Sequence, residues 1–184
     1  MAQAVDCGPD VDNWLSQALN QSGLKLLKYE NRPECQSSLA NDSPFLLINR
    51  NSAASLHRYL NGENLAELSD QSVDEFLPRF RANFIIDGAD QYEEDEWENI
   101  QIDSLLFKTT GQCSRCQMIC VNQKTGDRNQ QPFTALVGLR GKRAPFGVHL
   151  QLTAPIASAI TSCCTSERPV LRIGAPVHPK FNPK

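Results

Sequence analysis

The chain has 184 residues, of which 40% are hydrophobic and 21% are charged, and its formal net charge is −3. This length and composition suit one ordinary globular domain, or one domain with a short appendage. They exclude a membrane-spanning protein, because the longest apolar runs, such as residues 45–48, are far too short to cross a bilayer. They also argue against nucleic-acid binding, because the sequence pI is about 5.6 and aromatic residues are not interleaved with the basic ones.

The N-terminal region predicts one helix and one strand. Asp10 is the predicted N-cap of a helix whose apolar residues recur at helical spacing and share one face, namely Val11, Trp14, Leu15, Ala18 and Leu19. Gly23 is predicted to end the helix, and residues 24–29 read as a strand. Residues 30–43 are polar and rich in turn formers, which predicts a loop.

The middle of the chain predicts short strands and short helices. The strands are expected over residues 45–48, 80–86, 100–102 and 104–108. Ser52 is the predicted N-cap of a helix that runs through Leu60, with Leu56 and Leu60 on its inner face. A second helical segment over residues 73–77 is expected to stop at Pro78.

The C-terminal region predicts three more strands, over residues 118–121, 146–152 and 170–173. Gly126 is expected to supply a positive φ in a hairpin-type connection, and Pro132 to open a helix through about Leu139. Residues 153–167 are expected to be loop with some helix, and residues 179–184 a frayed tail. Many short strands, few helices and no regular βαβ alternation predict a mixed α/β fold, a β-barrel with helical decorations.

The cysteines indicate reduced thiols. There are seven of them: Cys7, Cys35, Cys113, Cys116, Cys120, Cys163 and Cys164. An odd number, with three clustered and two adjacent, makes a poor disulfide framework. Residues 1–9 lack the basic and apolar regions of a secretory signal, so we expect a cytoplasmic protein.

The charges divide the chain into an acidic and a basic part. Residues 1–107 hold 7 of the 18 basic and 19 of the 21 acidic side chains, a balance of −12. Residues 108–184 hold the other 11 basic side chains and 2 acidic ones, a balance of +9. Solvated turns are one interpretation of the acidic run over residues 87–103. The other interpretation is that the basic part forms a positive wall for an anionic ligand.

The densest cluster of reactive side chains is Cys113-Ser114-Arg115-Cys116. A thiolate binds soft metals and acts as a nucleophile, and an adjacent arginine offers a planar fork to phosphate or carboxylate. A structural zinc site, a dithiol redox pair and buried structural cysteines all remain open. However, no second Cys/His pair has related spacing, and a redox pair sits at a helix N-terminus whereas a strand is predicted after Cys116. The pattern favours a thiolate-plus-arginine loop that grips a cofactor.

Two other segments are candidates to complete this site. Arg79, Arg81 and Asn83 would lie on one face of an extended strand, because alternate residues point the same way. Two guanidiniums and an amide there could hold a phosphate and the edge of a heterocycle, although a solvated strand face is the alternative. The loop over residues 41–44 offers the Ser43 hydroxyl and backbone N–H groups, and alone it indicates only a turn.

These segments together resemble the MOSC domain, and specifically the C-terminal part of eukaryotic molybdenum cofactor sulfurases. The resembling pieces are residues 43–49, 79–86, 93–97, 113–120, 123–126 and 146–147, followed by residues 173–174 and Val177. The resemblance covers roughly residues 10–178. It implies a MOSC-type barrel over residues 41–180, preceded by a helix and strand segment at 1–40 that is a remnant of an earlier barrel region, and followed by a tail at 181–184.

The resemblance also implies the ligand and the residues that bind it. The ligand would be the molybdenum cofactor, a pterin dithiolene that carries a phosphate. Cys116 would approach or ligate molybdenum and act as the catalytic residue. The remaining contacts would come from Ser43, Arg81, Asn83, Ser114, Arg115 and His149, the last where relatives usually have tyrosine.

A complete sulfurase also has a pyridoxal-phosphate cysteine desulfurase region, which forms a persulfide and which this chain is too short to contain. The resemblance therefore implies part of a sulfurtransferase. This part would hold the cofactor while sulfur from a desulfurase domain, in cis or in trans, replaces an oxo ligand of molybdenum. Xanthine dehydrogenase and aldehyde oxidase would be activated as a result. The alternatives are a stand-alone oxidoreductase of the amidoxime-reducing type and a non-catalytic cofactor carrier.

Overall fold

The computed structural model describes residues 4–29, 43–62, 69–155 and 170–181. The predictions for residues 30–42 and 156–167 lie outside this description, as do Cys35, Cys163 and Cys164. The chain divides into two compact units, residues 1–44 and 45–184. In the described part of the chain, no helix combines the length and the apolar character needed to cross a bilayer.

The first unit is small. Strand β1 (Ala4–Asp6) pairs antiparallel with β2 (Leu27–Tyr29), and helix α1 (Pro9–Ala18) lies between them in the chain. The helix begins after Gly8, whose φ of 97° no other residue adopts easily, and Pro9 occupies its first position. Asp10 is therefore not the N-cap. The predicted apolar face is not buried, since Trp14 is 66% exposed.

The second unit is built on a six-stranded sheet. Its strands are β3 (Phe45–Asn49), β4 (Phe84–Ile86), β5 (Trp97–Ile102), β6 (Leu105–Ser114), β7 (Pro145–Pro155) and β8 (Val177–Phe181). Their order across the sheet is β4-β3-β7-β6-β5-β8, with β3 and β4 parallel and every other neighbouring pair antiparallel. The sheet curls into a half-barrel, which confirms the mixed α/β, MOSC-type fold class.

Helices α2 (Arg50–Asn61), α3 (Asp70–Phe76) and α4 (Gln131–Arg140) accompany the sheet. Asn49 caps α2 by accepting a hydrogen bond from the Asn51 amide, and Ser69 caps α3 in the same way through the Ser72 amide. Ser52 is therefore not the cap of α2. The described residues of this unit also form 3-10 helices at Leu77–Phe80, Glu93–Glu96 and Gln117–Cys120.

Among the described residues of the second unit, the buried apolar side chains form two clusters. The first contains residues from α2, α3 and α4 and includes Phe80 and Phe146, whose rings stack 4.4 Å apart. The second is built on the sheet and includes Phe107 and Val148. In β7, Gly147 lies between Phe146 of the first cluster and Val148 of the second, and its φ is 76°. A Cβ at this position would come within 2.5 Å of the Leu47 carbonyl oxygen in β3. Only glycine allows the two strands to approach this closely.

Three strand predictions are wrong for identifiable reasons. Residues 80–83 do not form a strand. Helix α3 is followed directly by the 3-10 helix Leu77–Phe80, which contains Pro78, and the chain then turns at Arg81. Residues 118–120 belong to another 3-10 helix, Gln117–Cys120, and Val121 follows it. Ile119 and Cys120 are neighbours and both buried, which is not the alternation of a half-buried strand. The last strand is β8 and not residues 170–173; it contains Pro179, which an edge strand tolerates. The predicted frayed tail is therefore strand through Phe181.

Candidate functional site

Residues 79–83, here called the FRAN turn, do not lie on one strand face as the sequence predicted. Phe80 ends a 3-10 helix, and Arg81 follows in the left-handed region with φ of 52° and ψ of 38°. The Arg81 amide donates to the Pro78 carbonyl at 3.2 Å, which closes the turn. Side chains two residues apart therefore leave the FRAN turn in different directions.

The three predicted site residues of the FRAN turn therefore have different surroundings. Arg79 is half-buried, donates to the Ile119 carbonyl at 3.4 Å and lies over the Phe76 ring. Arg81 is exposed to solvent. Asn83 forms two hydrogen bonds with Leu46, both of 2.9 Å. The backbone N–H of Asn83 donates to the Leu46 carbonyl, and the side-chain Oδ1 of Asn83 accepts from the backbone N–H of Leu46. The Asn83 carboxamide thus extends the pairing of β3 with β4.

The Cys-Ser-Arg-Cys segment, residues 113–116, starts in β6 and leaves it after Ser114. Cys113 is 9% exposed, whereas Ser114 and Cys116 are exposed. Arg115 turns back toward Cys113, and its Nη1 donates to the Cys113 sulfur at 3.1 Å. The segment therefore buries one thiol and presents the other to solvent, beside a hydroxyl.

The FRAN turn and the Cys-Ser-Arg-Cys segment lie side by side. Arg115 Nη2 donates to the Phe80 carbonyl at 2.6 Å, and its guanidinium lies 5.8 Å from the centre of the Phe80 ring. Arg79 makes the second link, to Ile119. Cys116 lies in the chain between the two anchored residues, Arg115 and Ile119. Exposed Cys116 and exposed Arg81 therefore belong to neighbouring, mutually fixed segments.

Ser43 and His149 occupy different environments. Ser43 belongs to the first unit, is 6% exposed and directly precedes Pro44 and β3. His149 is half-buried in β7, where it is paired with Leu46 on one side and Gly111 on the other. Asn83 and His149 therefore flank the same residue, Leu46, in one row across the sheet.

The donor set suits a metal that brings its own ligands. Within the described ranges, no three or more His, Cys, Asp or Glu side chains are grouped so that they could hold a metal ion. What this segment does offer is the exposed thiol of Cys116 and, two residues before it, the exposed hydroxyl of Ser114; the linked FRAN turn adds the exposed guanidinium of Arg81. A soft sulfur ligand with positive charge beside it fits an anionic complex whose metal tolerates thiolates.

A cavity of about 520 Å³ lies beside the FRAN turn and was not predicted from the sequence. It is lined by residues 82–86 of the β4 edge, by Ile102 and Val177, and by residues 171–175. Asn83 is the predicted site residue in this lining. The lining is mostly apolar, with Asn83 and Arg172 as polar members.

Glu94 is a second feature that the sequence did not predict. Its side chain is fully buried, and its Oε2 accepts hydrogen bonds from Ser52 at 3.0 Å and from Asn49 at 3.2 Å. Burial is the main cause that raises the pKa of the Glu94 carboxyl, and the Ser52 hydrogen bond acts in the opposite direction. A run of eight acidic residues with no basic one among them gives no signal that one member is internal.

The family profile and the similar proteins point to the same family. The sequence profile of the MOSC domain matches residues 35–177. The chain is 36% identical to the molybdenum cofactor sulfurase of Drosophila mojavensis over 154 aligned positions, which cover 80% of this chain and 18% of that protein. It is also 36% identical to the molybdenum cofactor sulfurase of Danio rerio over 196 aligned positions, 98% of this chain and 22% of the relative. The chain thus spans about a fifth of the length of the curated relatives it matches.

Proposed function

Because the chain belongs to the MOSC domain family, we propose that it is the part of a molybdenum cofactor sulfurase that holds the molybdenum cofactor while an oxo ligand of the metal is replaced by sulfur. In this proposal the cofactor is the substrate of the sulfuration. Its dithiolene sulfurs, phosphate and metal would be met by the exposed face of the Cys-Ser-Arg-Cys segment and the FRAN turn. We keep residues 41–180 as the proposed extent of the cofactor-binding domain.

The observation that carries the proposal is the pair of links between the two segments. Arg115 bonds to the Phe80 carbonyl and Arg79 bonds to the Ile119 carbonyl, so the exposed thiol of Cys116 is held near the turn that presents Arg81. A thiol and a guanidinium presented together match a ligand that is both thiophilic and anionic.

The residues divide into roles by their exposure. We assign Cys116 to molybdenum and to sulfur transfer, and Arg81 and Ser114 to the anionic groups of the cofactor. Asn83, whose carboxamide oxygen already bonds to Leu46, keeps its side-chain N–H groups for a heterocycle edge. Ser43 and His149 are proposed contacts on the family resemblance alone.

The chemistry requires a sulfur donor and a reductant. A cysteine desulfurase domain with pyridoxal phosphate, in cis or in trans, would supply a persulfide. Delivery of its outer sulfur as sulfide needs two electrons and two protons, which a thiol reductant provides, and the displaced oxo ligand leaves as water. Xanthine dehydrogenase and aldehyde oxidase are the proposed enzymes that this sulfuration activates.

Replacing Cys116 by alanine tests the proposal. We expect Cys116→Ala to lower the molybdenum and pterin that the chain retains after loading with molybdenum cofactor and gel filtration, by roughly 10-fold, because a metal–thiolate bond is lost. Metal analysis and pterin fluorescence measure the retention. Cys7→Ala removes another exposed cysteine, one in the first unit, and is the matched control.

Equal retention by Cys116→Ala and Cys7→Ala would remove Cys116 from the site. Reduction of an N-hydroxylated substrate by the loaded chain with an added reductant would favour the amidoxime-reducing alternative. Retention of cofactor that never gains sulfur, with a competent desulfurase and a thiol reductant present, would favour the carrier.

A further inference from the structure

We propose that Cys113 is a positioning residue, whose buried sulfur orients Arg115 and thereby fixes the FRAN turn relative to Cys116. The expected effect on cofactor binding rests on the proposed function, whereas the hydrogen bonds from which the inference is argued do not depend on it. It gives the first cysteine of the segment a role that is distinct from metal binding and from disulfide chemistry.

The Arg115 guanidinium is held as a fork between two acceptors. Nη1 donates to the Cys113 sulfur at 3.1 Å and Nη2 donates to the Phe80 carbonyl at 2.6 Å. Within the described part of the chain, Nε of Arg115 is buried and has no hydrogen-bond partner. The in-plane orientation of the group therefore depends on its two arms, and the sulfur is one of them.

The other end of this link carries the strained residue. Phe80 directly precedes Arg81, whose φ of 52° is unfavourable for a residue with a Cβ. Strained backbone persists only where its surroundings hold it, and here the Phe80 carbonyl is fixed by Arg115. The chain of contacts from Cys113 through Arg115 to Phe80 thus reaches the residue that presents the Arg81 side chain.

Burial explains why a cysteine serves here. Cys113 is 9% exposed at the end of β6, so water competes poorly for its sulfur. The backbone amide of Arg115 is fixed as well, by a 3.0 Å bond to the Ala144 carbonyl. Main chain and side chain of Arg115 are therefore both anchored, and loss of the sulfur would release the side chain alone.

A serine and alanine pair at position 113 separates the sulfur's role as an acceptor from its volume. Both variants are smaller than cysteine by a similar amount, but only the serine oxygen can accept the Arg115 bond. We expect Cys113→Ala to lower retention of molybdenum cofactor by roughly 10-fold, and Cys113→Ser to stay within about 3-fold of the parent. Cys120→Ala, a buried cysteine of the first apolar cluster that bonds to Gln130 instead, is the control for lost core volume.

Hydrogen exchange gives a readout that needs no cofactor. In the full chain, the amides of residues 79–83 should exchange about 10-fold faster in Cys113→Ala than in Cys113→Ser or Cys120→Ala, because the turn loses its anchor. Equal exchange and equal retention in the serine and alanine variants would overturn the positioning role. If exchange responds as expected but the parent retains no cofactor, the positioning role stands and the proposed function fails.

Discussion

Cys113 and Cys116 are three positions apart, yet one is buried against an arginine and the other faces solvent. The sequence shows that this segment concentrates thiol, hydroxyl and guanidinium groups, but it does not show which of them are buried. The division follows from the end of β6: strand alternation turns Cys113 inward and Ser114 outward, and the chain then leaves the strand. Arg115 stays a predicted contact of the ligand, and its side chain also bonds to the protein. Its hydrogen bonds to Cys113 and Phe80 could not be predicted from sequence spacing, because Phe80 is 35 positions away in the chain.

Arg81 offers a test in which stability and binding change in opposite directions. Arg81→Gly should raise the free energy of unfolding by about 1 kcal/mol, because glycine adopts a φ of 52° without strain. The same variant should retain less molybdenum cofactor, because the exposed guanidinium is lost. Denaturant unfolding and pterin fluorescence measure the two effects.

Arg81→Ala is the matched control, since it removes the guanidinium and keeps a Cβ at the strained position. We expect it to lose retention without gaining stability. A glycine variant that is no more stable than the alanine variant would mean that the left-handed conformation costs nothing here. Unchanged retention in both variants would exclude Arg81 from the site.

The elements could be predicted where one pattern dominated. β3, β5 and α4 follow from an apolar run, from alternation and from a proline at the helix start, and all three are present. The failures occur next to 3-10 helices. The chain leaves one of these helices at Phe80 and turns at Arg81, and residues 118–120 lie inside another. No local pattern could show that these two pieces pack together, because Arg79 and Ile119 are 40 positions apart in sequence.

The 3-10 helix at Glu93–Glu96 is tied to α2 through the buried Glu94 carboxyl, which predicts a pH dependence of stability. A carboxyl whose pKa is raised on folding binds its proton more tightly in the folded state, so stability falls as pH rises above the ordinary pKa. Glu94→Gln cannot ionise and can still accept from Ser52 and Asn49. Its stability relative to the parent should therefore rise from about pH 4 to pH 8.

Urea unfolding of Glu94→Gln and the parent across this range measures the difference. Glu96→Gln, an exposed residue of the same 3-10 helix, controls for the change in net charge. If the difference in unfolding free energy between Glu94→Gln and the parent does not change with pH, ionisation of Glu94 does not destabilise the folded state and the burial argument is wrong.

At the scale of the whole molecule, the charge division of the sequence acquires a structural meaning. The Cys-Ser-Arg-Cys segment lies in the basic part of the chain, while the FRAN turn comes from the acidic part and contributes two of its seven cations, Arg79 and Arg81. Folding brings these cations to the basic part, which total charge alone would not predict. The half-barrel and the family could be predicted from the resemblance, because the pieces that carry it include β3, the FRAN turn and the segment after β6.

The central claim is that the exposed sulfur of Cys116 binds molybdenum of a pterin dithiolene beside the FRAN turn. The most direct measurement is molybdenum-edge X-ray absorption of the chain loaded with molybdenum cofactor, compared with Cys116→Ser loaded in the same way. We predict one more sulfur neighbour per molybdenum in the parent than in the serine variant, because the thiolate adds to the two dithiolene sulfurs. The same sulfur count in both proteins would contradict the account.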